Sequence, residues 1–369
     1  MGEDARRPEA RLSRPSVRAF RIPTDASEAD GTLEWEATTL VLVEIAAAGK
    51  TGLGYSYTST GACAVIDGVL AEVVEDADAF DIPGLWKEMV GAVRNLGWRG
   101  ICASAISAVD VALWDLKAKL IEAPLVRLLG RAREAVPIYG SGGFTSYPDE
   151  RLATQLSGWV DGDGCRAVKM KVGRPSDHHL QRLRTARSAI GGAELYIDAN
   201  GAFDRKEALA FAAFSAELGV TWFEEPVSSD DLEGLRLMRD RGPPGMRIVA
   251  GEYGYEPFYF RNMLGAGAVD VLQADATRCG GFTGFLLAAA LADAHNVPLS
   301  AHTAPALHLP VAAAAPRLMN VEWFHDHVRI ERMLFDGSPV PRGGTIRPDL
   351  TRPGLGLAFK DKDAEKYAL

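Results

Sequence analysis

The chain has 369 residues, 40 Lys+Arg against 49 Asp+Glu, a formal net charge of −9, and 47% hydrophobic residues. That apolar fraction excludes a disordered acidic tail, and the length suits two domains or one barrel-sized domain with an addition. The acidic balance argues against a nucleic-acid binder, which needs a basic face to displace counterions.

The longest charge-free apolar stretches, Cys279–Ala292 and Thr303–Pro316, span 14 residues each and contain Gly or Pro. They are too short for a bilayer-spanning helix. The opening MGEDARRPEARLSR has no apolar core, so no secretory leader is expected. The four cysteines, Cys63, Cys102, Cys165 and Cys279, are far apart, with no CxxC. Free thiols and a cytoplasmic location are the expectation.

In chain order, Met1–Ser16 is polar, with four arginines and two prolines, and is expected to fray as a disordered arm. SVRAFRI (16–22) and TTLVLVEIAAA (38–48) are rich in β-branched residues and predict strands. A turn is expected at Gly49–Gly52, with GLGYSY leaving it, so these segments make a small antiparallel meander. Helices are predicted over about Gly61–Val74 and Pro83–Leu96, and over Ser104–Leu120, which ends before Pro124. The first 130 or so residues thus form an α+β module.

After Arg133 short apolar runs recur with helices between them. They are VPIYGSG (136–142), AVKMKVG (167–173), ELYIDAN (194–200), TWFEEP (221–226), RIVAGE (247–252), VDVLQAD (269–275), PLSAHT (298–303) and NVEWF (320–324). Eight strands alternating with helices predict parallel βαβ units and a (β/α)8 TIM-type barrel. A doubly wound sheet is the competing arrangement, because counting strands does not prove closure. GSGGF and CGGFTG lack the spacing of a dinucleotide fingerprint and read as βα turns.

The strand ends carry the chemistry. Lys169 and Lys171 sit on the second strand, Asp198 and Asn200 end the third, and Glu224-Glu225 end the fourth. Glu252, Asp275, His302 and Glu322 end the next four. From Lys171 onward the ionisable groups Lys171, Asp198, Glu224, Glu252, Asp275, His302 and Glu322 are spaced by 27, 26, 28, 23, 27 and 20 residues, each about one βα unit. They therefore return to one level, the C-terminal face where barrels keep their active sites. One polar strand end is ordinarily a helix cap or loop contact. Seven in succession would be costly to bury without a function.

Asp198, Glu224 and Glu252 offer oxygen ligands on successive strands, which suits a hard divalent ion such as Mg2+ and disfavours zinc. Alternation lets only one glutamate of FEEP point inward, and the residues alone leave open which. Lys169 and Lys171 share one face of their strand. Their mutual repulsion should lower each other's pKa, making one a candidate base. His302, beside Asp275 on the preceding strand, is a second candidate base across the mouth.

These residues resemble the mandelate racemase subgroup of the enolase superfamily. The matching pieces are KMK at 169–171, IDAN at 197–200, FEEP at 223–226, AGE at 250–252, QAD at 273–275, SAH at 300–302 and VEW at 321–323, with SAISAVDVALWDLKAKLIEAPLVRLLG at 104–130 leading into the barrel. The resemblance implies Mg2+ on Asp198, Glu224 and Glu252. It implies Lys171 as the base on one face of the α-carbon, Lys169 on the substrate carboxylate, and His302 with Asp275 on the other face. It implies Glu322 bonding a carboxylate oxygen and Asn200 touching substrate. It implies an α+β capping domain of residues 17–135 with 342–369, after an arm at 1–16, and a catalytic barrel at 136–341.

The implied chemistry is abstraction of the proton α to a carboxylate through an ene-diolate, a superfamily pattern in which a Lys or His base works with Mg2+. Dehydration of a sugar acid to a 2-keto-3-deoxy acid is favoured. A racemase or epimerase of a 2-hydroxy acid is the alternative, and a catalytically silent ligand-binding barrel is the alternative of another class. Specificity is expected from the loop Pro23–Trp35 and the turn Lys50–Tyr57. Tyr55, Trp323 and His325 are the substrate-contact candidates, with Tyr57, Tyr139 and His327 beside them. The expected partner is a small-molecule acid, with no nucleic acid and no membrane, in a homo-oligomer.

Overall fold

The computed structural model describes residues 10–174 and 179–369. Three strands, β1 (Ser16–Ala29), β2 (Glu34–Ala47) and β3 (Lys50–Tyr57), form the predicted antiparallel meander. The β2–β3 turn falls at Ala48–Gly49, not at 49–52, because Ala47 already pairs with Lys50. Both turn residues have positive φ, 45° and 75°, which matches the twist of a two-residue hairpin. The expected loop after Ile22 is instead a continuation of β1, with a register shift between Pro23 and Glu28. This extension reaches the barrel mouth. There Ala29 O accepts from Thr145 N–H at 2.7 Å, and Ser27 O accepts from the Ser146 hydroxyl at 2.6 Å.

The helix Ile101–Leu120 lies across this sheet. Contact is close enough to require glycine: a Cβ on Gly54 would meet Ala108 O at 2.1 Å, and one on Gly52 would meet Ala112 O at 2.2 Å. The N-terminal arm is only partly as expected. Residues 1–9 lie outside the described ones. Residues 10–15 do not fray, because Leu12 is buried and its backbone bonds Ala77 O at 3.0 Å. One leucine in a polar stretch finds the apolar side of the cap, which composition does not reveal.

All eight predicted barrel strands are present: β4 (Val136–Gly142), β5 (Ala167–Lys171), β6 (Glu194–Asp198), β7 (Val220–Glu224), β8 (Arg247–Ala250), β9 (Val271–Ala274), β10 (Leu299–Ala301) and β11 (Leu318–Phe324). They pair in sequence order, and β11 pairs back onto β4, so the sheet is closed. Alternation divides each strand. Val168, Met170, Leu195, Ile197 and Phe223 face the outer helices. Tyr139, Ala167, Tyr196, Trp222, Val249 and Val271 fill the interior, with Tyr196 and Trp222 stacked at 4.6 Å. This layer is the floor on which the polar mouth stands. No described helix is long and apolar enough to cross a membrane.

Cap and barrel are joined by polar contacts. Asp110 on the long cap helix accepts from Thr283 N–H at 3.0 Å and Oγ1 at 2.6 Å, at the start of the barrel helix Gly281–Ala294. The C-terminal segment returns to the cap, where Leu369 N–H bonds Ala19 O at 3.0 Å and Phe359 packs on Phe20 at 5.2 Å.

Two outcomes follow. Gly54→Ala is expected to lower unfolding stability by roughly 1–3 kcal/mol in urea titrations, because the new methyl meets backbone atoms that cannot swing away. Burial holds the Asp110 carboxyl up at about 7, against the hydrogen bonds from Thr283. An unfolded aspartate titrates near about 4, so between about 4 and about 7 the folded state binds the extra proton and stability falls as pH rises. Unfolding midpoints across that range should show the fall, and Asp110→Asn should make it shallower, leaving the share of the other raised buried carboxyls such as Glu331.

Candidate active site

The inward positions above the aromatic floor bring the predicted groups together. Lys169 and Lys171 follow Ala167 on the inner face of β5, Asp198 follows Tyr196 on β6, and Glu224 follows Trp222 on β7. Glu252 stands just past β8. It is delivered by Gly251, whose φ is 137° and whose Cβ would collide with Gln273 O at 2.1 Å. Asn200, Glu225, Thr303 and Ala304 have positive φ of 47°, 39°, 51° and 38°, in the turns after β6, β7 and β10. Non-glycine strain of this kind gathers at sites where the surroundings over-determine the backbone.

Lys169 is fully buried. Its ammonium lies 2.6 Å from Glu224, 2.8 Å from Glu322 and 3.3 Å from Asp198. Lys171 lies 2.5 Å from Asp198 and bonds Asn200 Oδ1 at 3.1 Å. His302 Nδ1 lies 2.8 Å from Asp275 Oδ2, while Asp275 Oδ1 accepts from Thr277 N–H at 2.7 Å. The carboxylate takes the Nδ1 proton and leaves Nε2 toward Glu252 and Glu322, 3.2 and 3.7 Å away. Glu322 accepts from the Ser141 hydroxyl at 2.6 Å and from Thr303 N–H at 3.1 Å.

Asp198, Glu224 and Glu252 each offer an oxygen within 4.8 Å of the others, and all three are buried. Burial and the neighbouring Asp198 charge push Glu224 up to about 8, even with Lys169 beside it. Glu252 Oε2 is buried without a hydrogen bond. The nearest cation to that oxygen is His302 Nε2 at 3.2 Å, and Glu224 stays raised even beside Lys169, so the converging oxygens are only partly neutralised. An oxygen-only set of this kind fits a hard divalent cation. The open choice in FEEP is resolved by geometry. Glu224 is the inward residue of β7 and joins the trio, and Glu225 follows on a left-handed turn.

The lysines differ from expectation. Burial and Lys169 do lower the Lys171 pKa, but Asp198, Glu252 and Glu322 raise it by more. Carboxylates likewise hold Lys169 well above the ordinary lysine value against its burial. Mutual repulsion loses because each ammonium is closer to carboxylates than the pair argument assumed. Burial disfavours the His302 cation, yet Glu252 and Asp275 raise its pKa to about 10. Glu322 is held down at about 2, where Lys169 and His302 outweigh burial.

A cleft of about 340 Å3 opens over this set, with Lys171, Asn200, Glu252, His302 and Glu322 in its wall. A larger groove of about 730 Å3 between β1 and the C-terminal tail is lined by exposed charges such as the Arg18–Asp361 pair and by none of the barrel-mouth groups, so size alone misleads. Three substrate-contact candidates fall elsewhere. Tyr55 is buried in the core, donating to Glu331 at 2.6 Å, and Tyr57 takes the place in the cleft. Trp323 points outward because Glu322 points inward, and Arg332 covers its ring at 5.4 Å. His325 lies 3.1 Å from Asp25 on the β1 extension and is absent from the cleft wall among the described residues. Tyr139 belongs to the barrel floor. His327 does line the cleft.

Sequence reasoning missed Arg278, which lies 3.5 Å from Glu252 and 3.6 Å from Asp275. Its only signal was its place three residues after Asp275. It also missed Thr38 and Thr39, which reach the cleft from the cap beside Trp35 of the expected specificity loop.

Lys169→Met should leave Glu224 without its close buried counter-charge and deprive Glu322 and Asp198 of one of theirs. Unfolding in chelator is expected to show a loss of roughly 3–5 kcal/mol, and added Mg2+ to restore part of it.

The comparisons with known proteins agree with this geometry. Residues 21–130 match the mandelate racemase / muconate lactonizing enzyme N-terminal domain, and residues 151–364 match the enolase C-terminal domain-like model. The chain is 33% identical over 361 residues to a 3,6-anhydro-alpha-L-galactonate cycloisomerase of Streptomyces coelicolor, covering 94% of this chain and 97% of the relative. It is also 33% identical, over 78% of its length and 74% of the relative's, to the L-talarate/galactarate dehydratase of Salmonella typhimurium. That dehydratase, solved with Mg and L-lyxarohydroxamate, superposes with a TM-score of 0.89 at 26% identity, covering 100% of this chain and 95% of that one. A mandelate racemase/muconate lactonizing enzyme-like protein from Rubrobacter xylanophilus superposes with a TM-score of 0.95 at 50% identity, over 97% of this chain and 100% of that one. With both family models matched in order, and the carboxylate trio, lysine pair and His–Asp pair at the mouth of a closed barrel, this chain belongs to the mandelate racemase subgroup of the enolase superfamily.

Proposed function

We propose that this protein is an acid-sugar dehydratase that converts its substrate to a 2-keto-3-deoxy acid. The observation that carries the reading is the placement of Lys171 and His302 in opposite walls of one cleft, with the carboxylate trio beside them.

Asp198, Glu224 and Glu252 would hold Mg2+. When bound, it supplies positive charge where the substrate carboxylate becomes an ene-diolate, and offsets the carboxylates that otherwise keep Lys171 protonated. Lys171 takes the α-proton, and Asp198 and Asn200 fix its ammonium. Lys169 holds a carboxylate oxygen. Glu322, ionised and accepting from Ser141, has no proton to give that carboxylate and instead anchors the Lys169 ammonium. His302, whose Nδ1 is held by Asp275, gives its Nε2 proton to the departing β-hydroxyl. Asp275 and Thr277 keep its ring in place. The relatives reported above, a cycloisomerase and a dehydratase of acid sugars, support this class.

A second reading is favoured by the same opposed pair. His302 could return a proton to the α-carbon itself, giving racemisation or epimerisation.

The test is a library of sugar acids with Mg2+, followed as keto-acid formation and, in D2O, as exchange at the α-carbon. Dehydration predicts keto-acid accumulation. Deuteration with retained hydroxyls would instead support the epimerase. Lys171→Ala and His302→Asn are each expected to reduce turnover by roughly 10²–10⁴-fold. Unchanged turnover in either would refute its assignment.

A further inference from the structure

The cleft has two chemically different ends. At the barrel end charge is dense, with Lys171, Arg278 and His302 among Glu252 and Glu322. The cap wall is made of Asp30, Trp35, Thr38, Thr39, Tyr57 and Thr58 with smaller apolar neighbours. Among the described residues the cap brings no lysine or arginine to the cleft. Residues 175–178, outside the described ones, include no lysine or arginine in their sequence. Neighbouring guanidinium groups are engaged. Arg174 donates to Asp30 O and Leu33 O, Arg151 pairs with Asp25 at 3.1 Å, and Arg329 bonds Asp326.

This end offers neutral hydrogen-bond donors instead. His327 Nδ1 accepts from Ala304 N–H at 3.3 Å, which assigns the ring proton to Nε2. Burial and the nearby His302 charge hold His327 neutral, its pKa down at about 3. Among the described residues no hydrogen bond is formed by Nε2, and His327 lines the cleft. The ring stacks on Tyr57 with centroids 3.5 Å apart. The Tyr57 hydroxyl is itself buried without a partner. Buried hydroxyls are ordinarily satisfied, so a pair of unused donors in a cleft wall points to a ligand oxygen.

We propose that Tyr57 and His327 form a hydroxyl-recognising subsite, and that the substrate is a monocarboxylate with its carboxylate at the Asp198–Glu224–Glu252 end and an uncharged, hydroxylated carbon at the cap end. The proposal rests on the acid-sugar reading above. A hydroxyl oxygen accepts from both donors. A second carboxylate there would be desolvated beside Asp30 with no counter-charge. The cleft thus selects aldonates over aldarates.

The test uses the Mg2+-loaded protein and pairs of aldonate and aldarate matched in length and configuration. The expected preference in kcat/KM is about 100-fold for the aldonate, and equal or better turnover of the aldarate overturns the proposal. Tyr57→Phe removes a hydroxyl that no protein group uses. Its unfolding midpoint should hold or rise, while KM for the aldonate rises about 5–10-fold. An unchanged KM overturns the subsite. Absence of turnover and α-exchange in both panels would sink the acid-sugar reading, and calorimetry on the same pairs would then decide the subsite. Tighter aldonate binding keeps it. Equal binding, tighter aldarate binding, or no binding by either overturns it.

Discussion

Lys169 is the pivot of the site. It is fully buried and touches carboxylates from β6, β7 and β11 at once. Carrying that many charges inside a barrel is costly unless they neutralise one another at close range. The rest of the mouth follows from this arrangement. Glu322 is held ionised by Lys169 and His302, and Ser141 completes its hydrogen bonding. Glu224 is left short of positive charge. The balance is nearly closed among protein groups but not fully, and the deficit lies where three carboxylate oxygens converge.

The scaffold makes this balance possible in two ways. Strand alternation sends one set of side chains to the helices and the other to the axis, so a lysine and a glutamate can sit one residue from core positions such as Met170 and Phe223. The aromatic layer beneath, led by Tyr139, Tyr196 and Trp222, closes the floor. Charges above it cannot be reached by water from below. At the mouth, non-glycine positive φ occurs in the βα turns that carry Asn200, Glu225 and Thr303, and Gly251 aims Glu252.

The cap answers a different need. Its sheet is bound to the long helix through the glycines of β3, and it hangs the β1 extension over the mouth. His325, first read as a substrate contact, lies against Asp25 on that extension. Tyr55 and Tyr57 show how finely the cap divides its work: two residues apart on one strand, one bonds Glu331 in the core while the other stacks on His327 in the cleft. The barrel side supplies charge, and the cap side supplies shape and neutral polarity.

Much of this was legible in the chain itself. Eight apolar runs at βα spacing, seven of them ending in an ionisable residue, point to a barrel and the ring at its mouth, because strand period and unit length are local properties. The trio Asp198, Glu224 and Glu252 and the His302–Asp275 pair needed only neighbouring strands. Other features depended on distance in space between residues far apart in sequence. Closure required β11 to meet β4. The lysine protonation balance required knowing that each ammonium sits against carboxylates from other strands. Leu12, Arg278 and the cap wall of Thr38, Thr39 and Tyr57 carry no periodic signal, since their roles arise from docking one domain on another. The sequence by itself determined which chemistry stands at the barrel mouth. Only the tertiary structure decided which side chains face it from across the cleft, because that depends on packing between segments up to about 300 residues apart, as with Asp25 and His325.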